Sequence, residues 1–178
     1  MSGRILFGIC GGIAAYKCCE LVRMMVKDGF DVHCVLTSAG AKFVTPLTLQ
    51  TLSGNVVHTD MFDLMREKKV NHISLARDSD IILIAPATAD IIARTACGIC
   101  DDLLSTVICA TKSPVLFAPS MNNNMWENRI TQSNVTRLRE FGYNFIEPES
   151  GELACGDSGS GRLPDLEKIL HAVKEILR

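Results

Sequence analysis

The chain lacks the long apolar segments and the large charged fields that mark membrane and nucleic-acid-binding proteins. Its 178 residues contain no apolar stretch that approaches the roughly 18 residues of a membrane helix. The formal net charge of −2 gives no basic or acidic field for a nucleic acid or a membrane surface. Internal repeats and low-complexity segments are also missing from the sequence. We therefore expect one cytoplasmic domain over residues 1–178, with no membrane and no nucleic-acid partner.

The residue patterns of two common kinds of enzyme site are missing as well. The sequence has no Ser-His-Asp order and no cluster of histidine and acidic residues, so triad hydrolysis and metal-dependent hydrolysis have little support. Cys97 and Cys100 form a C-x-x-C, but a zinc site needs a second such pair or paired histidines. We predict no bound metal and expect the decisive chemistry to come from a cofactor.

Cysteine, in contrast, is abundant, with eight residues in the chain. Most of these thiols fall within apolar strand or helix patterns, where free cysteine packs like a small hydrophobic side chain. The residues predicted to pack in this way are Cys10, Cys18, Cys19, Cys34 and Cys109.

Cys155 differs from the other thiols because it lies in GELACGDSGSGR, residues 151–162. The glycines, serines and charges of this stretch are typical of a mobile polar loop, which cannot bury a thiol. We therefore interpret Cys155 as a reactive residue.

Short apolar runs rich in Ile, Val and Leu recur along the chain, as is typical of buried parallel strands. These runs cover residues 4–9, 32–36, 81–85, 115–118 and 143–146. Helical patterns follow them, at 14–27, 102–111 and 163–177 among others. Segments 37–70 and 147–162 are not assigned. The alternation predicts an α/β fold with a single doubly wound parallel sheet, which binds ligands at the carboxyl ends of its strands.

The first two predicted strands end in residues suited to an anion. Gly11 and Gly12 precede a helix, an arrangement that points backbone amides at a phosphate, although a plain glycine turn explains them equally well. Thr37 and Ser38 follow the second strand, where a dinucleotide-binding protein would have an acid. Because G-x-G-x-x-G is also missing, the pattern favours a phosphate-bearing ligand over a dinucleotide.

The next two strands also end in polar residues. Pro86 is predicted to stop the third strand and Thr88 to cap the following helix. The fourth strand leads into PSMNNNMW, which contains Asn122. Capping alone would explain Thr88 or Asn122, but several polar strand ends together indicate a ligand site. His72, at a helix start, is either a structural residue or a base or polariser at this edge.

Four motifs carry a resemblance to a known family. In chain order they are NHISLA, PATADIIA, PSMNNNMW and LACGDSGSGR. Over essentially the whole chain, they resemble the histidine, flavin-binding, asparagine and substrate-clamp motifs of the homo-oligomeric flavin-containing cysteine decarboxylases. The resemblance implies a Rossmann-like or flavodoxin-like three-layer sandwich with FMN as cofactor. It also implies trimers, often assembled into dodecamers, with the flavin at a subunit interface.

The resemblance also implies residue roles. Two of the positions, Thr88 and Asp90, carry Ser and Asn in the plant form. For the substrate phosphate, Lys17 and Arg77 are candidates, and an exposed surface role is equally consistent with each. Cofactor contacts map to Gly11, Gly12, Ile13, Thr37, Ser38, Phe43, Thr88, Ala89, Asp90, Ile91 and Ser120, and substrate contacts to Asn122, Met125, Ala154, Cys155 and Gly156.

The implied activity is FMN-dependent decarboxylation of 4′-phosphopantothenoylcysteine to 4′-phosphopantetheine in coenzyme A biosynthesis. Flavin oxidation gives a thioaldehyde, which makes loss of CO2 easy, and the resulting enethiol is then reduced again. In this cycle His72 positions the substrate and assists proton movement, while Asn122 holds the carboxylate. Cys155 donates the final proton from a flap that closes over the substrate.

Three other functions remain as alternatives. A decarboxylase of peptide C-terminal cysteines and a flavin prenyltransferase are disfavoured by the clamp and the asparagine motif. A non-catalytic flavoprotein regulator that binds protein partners is disfavoured because the long acidic or low-complexity extensions of such regulators are missing. Bacterial members of the family are commonly fused to the ligase that makes their substrate, whereas the sequence to Arg178 contains no such domain, so we expect a separate ligase in the same cell.

Overall fold

A computed structural model describes residues 3–62, 71–152, 156 and 158–178, with only the backbone of residues 71, 152 and 158. Five strands form one sheet in the order β2-β1-β3-β4-β5, and all of its strand pairs are parallel. The strands are β1 (Arg4–Ile9), β2 (Asp31–Leu36), β3 (Ile81–Ala87), β4 (Val115–Pro119) and β5 (Asn144–Phe145). Strands β3 and β4 are buried throughout, which explains why their sequences are continuous apolar runs.

Helices cover both faces of the sheet. They are α1 (Ala15–Lys27), α2 (Pro46–Ser53), α3 (Asn71–Asp78), α4 (Ala89–Cys97), α5 (Leu103–Ala110), α6 (Asn123–Trp126), α7 (Arg129–Glu140) and α8 (Leu166–Ile176). The apolar residues of α1, α2 and α8 pack on one face, and those of α3, α4, α5 and α7 pack on the other. Alternation along β1 sends Ile5, Phe7 and Ile9 into the first core and Leu6 into the second.

The predicted fold class is confirmed. The chain is a doubly wound α/β three-layer sandwich, and the strand order 2-1-3-4-5 is that of flavodoxin-like folds. Among the described residues, no helix combines the length and the apolar character needed to span a membrane.

The predicted end of the third strand is wrong. Strand β3 continues through Pro86 to Ala87, which pairs with Pro119 of β4. The pairing shifts register between Ile84 and Ala87, and the missing N–H of Pro86 falls within this irregularity rather than in a regular ladder.

The two unassigned segments contain regular structure in their described parts. A 3-10 turn (Gly40–Lys42) precedes α2, whose first turn is capped by Thr45 through a 3.2 Å hydrogen bond from the Thr48 amide. Strands β6 (Glu149–Glu152) and β7 (Ser158–Arg162) pair as an antiparallel hairpin, separate from the main sheet.

The cysteine predictions have a mixed outcome. Cys10, Cys18 and Cys34 are buried, as predicted, and Cys19 is partly buried. Cys109 is exposed, so its prediction as a packing residue is wrong. Helix α5 buries Leu103, Leu104, Val107 and Ile108, and the 3.6-residue period places position 109 outside that stripe. Cys97 and Cys100 are exposed free thiols, and the described residues include no group of side chains suited to a metal ion.

Candidate functional site

A cavity of about 870 Å³ opens at the carboxyl ends of the parallel strands. The chain passes from β1 to β2 on one side and reaches β3 on the other, so the strand order reverses between β1 and β3. Doubly wound sheets bind their ligands at such a point. The volume of the cavity lies in the range of small-molecule and cofactor sites. The predicted residues that line it are Gly11, Gly12, Ile13, Thr37, Ser38, Thr88, Ala89, Asp90, Ile91, Ser120, Asn122 and Met125.

The glycine turn after β1 forms one wall of this cavity. A Cβ added to Gly11 would lie 2.4 Å from the Cβ of Ala39, so only glycine lets this turn pack against the loop that follows β2. Gly12 has more room, because the nearest atom to an added Cβ is Pro86 Cγ at 3.6 Å. The close approach at Gly11 therefore sets the spacing of the two loops that line this end of the cavity.

The two hydroxyl residues after β2 have different surroundings. Thr37 Oγ1 donates to the Ile9 carbonyl at 3.3 Å and accepts from the Gly40 amide at 3.0 Å. These bonds fasten the loop to the end of β1, so the Thr37 hydroxyl has a structural function. Ser38 is exposed and lines the cavity, which makes its hydroxyl the better candidate for a ligand contact.

Helix α4 begins at the cavity. Thr88 is its N-cap, as predicted, and Thr88 Oγ1 accepts a hydrogen bond from the Ile91 amide at 3.3 Å. The first amides of a helix have no intrahelical partner, and together with the helix dipole they favour a bound anion. Because Ala89 and Asp90 form the first turn and line the cavity, this end of α4 is suited to a phosphate.

Asn122 lines the cavity beyond the end of β4. Its Oδ1 accepts a hydrogen bond from the Asn124 amide at 2.9 Å and caps the short helix α6. Ser120 is held next to β3 through a 3.1 Å bond from its amide to the Ala87 carbonyl. Met125 also lines the cavity and is 48% exposed, so it offers an apolar surface to a ligand.

The hairpin of β6 and β7 packs directly on this asparagine segment. The Met121 amide donates to the Gly161 carbonyl at 2.9 Å, and a Cβ on Gly161 would lie only 2.2 Å from the Met121 carbonyl oxygen. Gly161 also has a φ of +141°. Gly159 abuts the side chain of Asn123 in the same way. Glycine at these positions thus allows the hairpin to contact the asparagine segment.

An ion-pair network holds the base of the hairpin. Glu149 accepts hydrogen bonds from Lys168 at 2.6 Å and from Arg162 at 2.7 Å, and Arg162 lines the cavity. These contacts lower the pKa of Glu149 to about 2, and the bond from Lys168 has the largest effect, followed by the bond from Arg162. Lys168 belongs to α8, so the network ties the hairpin to the helical layer of the first core.

Among the described residues predicted to contact the cofactor or to act in catalysis, two do not line the cavity of a single chain. Phe43 is 47% exposed and lies outside the lining. His72, the second residue of α3, also lies outside it, and its Nδ1 is buried with no hydrogen-bond partner among the described residues. Of the two candidates for the substrate phosphate, Lys17 lines the cavity, whereas Arg77 does not and pairs with Asp78 at 3.0 Å.

The predicted substrate clamp is described only in part. Gly156 is exposed, has a φ of +89° and does not line the cavity. Ala154 and Cys155 lie outside the described residues.

Several lining residues were missed in the sequence, among them Tyr16, Arg94, Asp102 and Arg162. Arg94 contacts both carboxylate oxygens of Asp90, at 3.0 and 2.9 Å, and it also pairs with Asp101. Both contacts raise the pKa of Arg94, and the contact with Asp90 has the larger effect. The i,i+4 spacing from Asp90 to Arg94 was a usable signal for the pair.

Cys10, predicted as a packing residue, is buried and also lines the cavity. Burial raises its pKa to about 12, so the thiol stays protonated and contributes a small apolar surface.

Comparisons with known proteins place the chain among flavoproteins. A family model described as "Flavoprotein" matches residues 2–178. The "Coenzyme A biosynthesis bifunctional protein CoaBC" of Haemophilus influenzae is 49% identical over 171 residues, which are 96% of this chain and 43% of that protein. The chain therefore spans less than half the length of this relative. The "Probable phosphopantothenoylcysteine decarboxylase" of Streptococcus mutans is 43% identical over 179 residues, which are 99% of this chain and 100% of that protein.

Solved structures show the same fold. A cysteine-to-serine mutant of PPC decarboxylase, complexed with pantothenoylaminoethenethiol, superposes with a TM-score of 0.88 at 31% identity and covers 98% of each chain. The FMN-dependent cysteine decarboxylase SpaF has a TM-score of 0.84 at 28% identity and covers 99% of this chain and 98% of its own.

Proposed function

This chain belongs to the Flavoprotein family, and from that membership we propose that it is an FMN-dependent carboxy-lyase acting on 4′-phosphopantothenoylcysteine. The product would be 4′-phosphopantetheine, an intermediate of coenzyme A biosynthesis. The observation that carries the proposal is the cavity at the carboxyl edge of the sheet. Residues from three of the four motifs that resemble the cysteine decarboxylases line it. The full-length similarity to the Streptococcus mutans protein supports the choice of substrate.

The cavity has the donor set that FMN requires. The start of α4 and the Ser38 hydroxyl would hold the phosphate, and the glycine turn at Gly11 and Gly12 would lie beside it. Ile13 and Met125 give apolar surface for the ring system. Bound FMN supplies a reversible two-electron oxidation, which side chains alone do not provide.

The chain's own residues would position the substrate and move protons. Asn122 would hold the carboxylate that is lost, with its amide oriented by the bond from the Asn124 amide. His72 would orient the thiol end and assist proton movement. Cys155 would donate the proton to the carbon skeleton of the enethiol, and Ala154 and Gly156 would flank it at the substrate.

We further propose a homotrimer, alone or assembled into a dodecamer, with FMN at the subunit interface. Ile13 and Tyr16 line the cavity and are more than half exposed, and Phe43 is 47% exposed outside the lining of this cavity. In the trimer, a neighbouring chain would cover these side chains. It would also bring its own His72 or Phe43 to the cavity of this chain. We place the enzyme in the cytoplasm, where its described cysteines, all free, stay reduced.

The proposal is tested by mass spectrometry of the products after incubation of the flavin-loaded protein with 4′-phosphopantothenoylcysteine. We expect 4′-phosphopantetheine from the unsubstituted protein and only the enethiol from Cys155→Ser. Recovery of unchanged substrate would contradict the proposed activity. A peptide that ends in cysteine, tested in parallel, separates this activity from decarboxylation of peptides.

A further inference from the structure

One carboxylate stands at the place where the proposed phosphate would bind. Asp90 is the second residue of α4, within the first turn whose amides favour an anion, and it lines the cavity. A carboxylate at this position is favourable for the helix itself, because it meets the positive end of the helix dipole. For a bound phosphate, the same carboxylate is a repelling charge.

Arg94 lies one turn further along α4 and binds this carboxylate from the side. Its Nε contacts Oδ1 and Oδ2 of Asp90 at 3.0 and 2.9 Å, so both oxygens are engaged by one guanidinium. A second contact, from Nη1 to Asp101, holds the guanidinium between two segments. The Arg94 side chain is 29% exposed, whereas that of Asp90 is 69% exposed, so the arginine is the more enclosed partner.

On the basis of the proposed FMN site, we propose that Arg94 is a positioning residue that neutralises Asp90 and so allows the start of α4 to accept the flavin phosphate. The guanidinium does this through the carboxylate rather than by binding the phosphate. Helix capping does not account for the pair, because Thr88 already caps α4. An i,i+4 pair on an exposed helix surface contributes little to stability, so its position at the cavity calls for another explanation.

The inference predicts a pattern of affinities across four proteins and two ligands. FMN is removed and titrated back while flavin fluorescence is followed, and riboflavin, which lacks the phosphate, is titrated in parallel. Arg94→Gln should weaken FMN binding roughly tenfold, a change of about 1.4 kcal/mol, and leave riboflavin binding unchanged. Asp90→Asn should bind FMN at least as tightly as the unsubstituted protein. The double variant Asp90→Asn with Arg94→Gln should recover most of the lost affinity.

Arg139→Gln is the matched control, because Arg139 also pairs with a carboxylate, that of Glu147, and does not line the cavity. Unchanged FMN affinity in Arg94→Gln, or an equal loss for riboflavin, would overturn the inference. So would a double variant that stays as weak as Arg94→Gln, because that result means direct contact between Arg94 and the ligand. If the unsubstituted protein binds neither flavin, the proposed function itself fails.

Discussion

Asn122 is the residue whose geometry is best defined for a role in the reaction. The Asn124 amide fixes its Oδ1, and a carboxylate oxygen would accept that bond equally well. Asn122→Asp should therefore keep the local structure and the bound FMN while repelling the carboxylate of the substrate. We expect kcat/KM to fall by at least about 100-fold, the usual effect of losing one positioned donor.

Release of CO2 from 4′-phosphopantothenoylcysteine measures this effect. Asn124→Asp is the control, because Asn124 is exposed and contributes only its backbone amide to the contact with Asn122. Activity of Asn122→Asp close to that of the unsubstituted protein would rule out the proposed contact with the substrate carboxylate.

The contact between β7 and the asparagine segment can be tested at Gly161. In Gly161→Ala the new methyl group would lie 2.2 Å from the Met121 carbonyl oxygen, so the hairpin must move away from the segment. We expect at least a tenfold loss of activity, since misplacement of a positioning element by about 1 Å costs up to 100-fold. FMN content should fall less than activity, because the groups proposed to hold the FMN phosphate lie at the β2 and α4 ends of the cavity.

Gly142→Ala is the matched control for backbone strain. Gly142 has a φ of +87° and open space around an added Cβ, so this variant is strained without displacing the hairpin. An equal loss of activity in both variants would show that strain, and not the contact with Met121, is responsible.

The base of the hairpin gives a pH-dependent prediction. The pKa of Glu149 in the folded protein is about 2, below its ordinary value of 4.5, because of Lys168 first and then Arg162. A carboxylate with a lowered pKa stabilises the fold above the unfolded value, and this contribution is lost as the pH falls from 4.5 towards 2. Glu149→Gln should therefore have a Tm lower by roughly 2 to 4 °C at pH 7 and a flatter pH dependence below 4.5.

Thermal unfolding between pH 2 and pH 7 checks this prediction. Glu147→Gln is the control, since Glu147 pairs with Arg139 at a more exposed position. Parallel pH curves for the unsubstituted protein and Glu149→Gln would contradict the importance of the network.

At the scale of the whole molecule, the proposed trimer predicts that one exposed aromatic side chain is needed both for assembly of the subunits and for FMN binding. Phe43 is 47% exposed and does not line the cavity of its own chain. In Phe43→Asp, a charge would enter the interface between subunits, so both the trimer and the bound FMN should be lost. Light scattering after size-exclusion chromatography and the flavin absorbance measure the two effects.

Phe141 provides the comparison for this experiment, because it is 67% exposed at the end of α7 and is also outside the cavity. Phe141→Asp should remain trimeric and flavin-bound. A trimer that persists with full flavin content in Phe43→Asp would contradict the proposed arrangement.

The sequence by itself determined the fold class and the edge of the sheet at which to look. Buried parallel strands read as continuous apolar runs, and their carboxyl ends must meet at one edge, so the polar residues after β1, β2, β3 and β4 were predicted to lie together. Twelve of the predicted cofactor and substrate contacts line the cavity, as does Lys17, a candidate for the substrate phosphate. The motifs also indicated the family, because each motif is a short run of adjacent residues and can be recognised in the sequence without the structure.

Only the tertiary structure decided which polar side chains bind other residues of the protein and which face the cavity. Thr37 binds the Ile9 carbonyl and Arg94 binds Asp101, and these contacts depend on how separate segments pack. Cys109 is exposed because the orientation of α5 follows from its packing on the sheet and not from its composition. Contacts between residues distant in the chain leave no periodic trace in the sequence, so their partners became visible only in the folded protein.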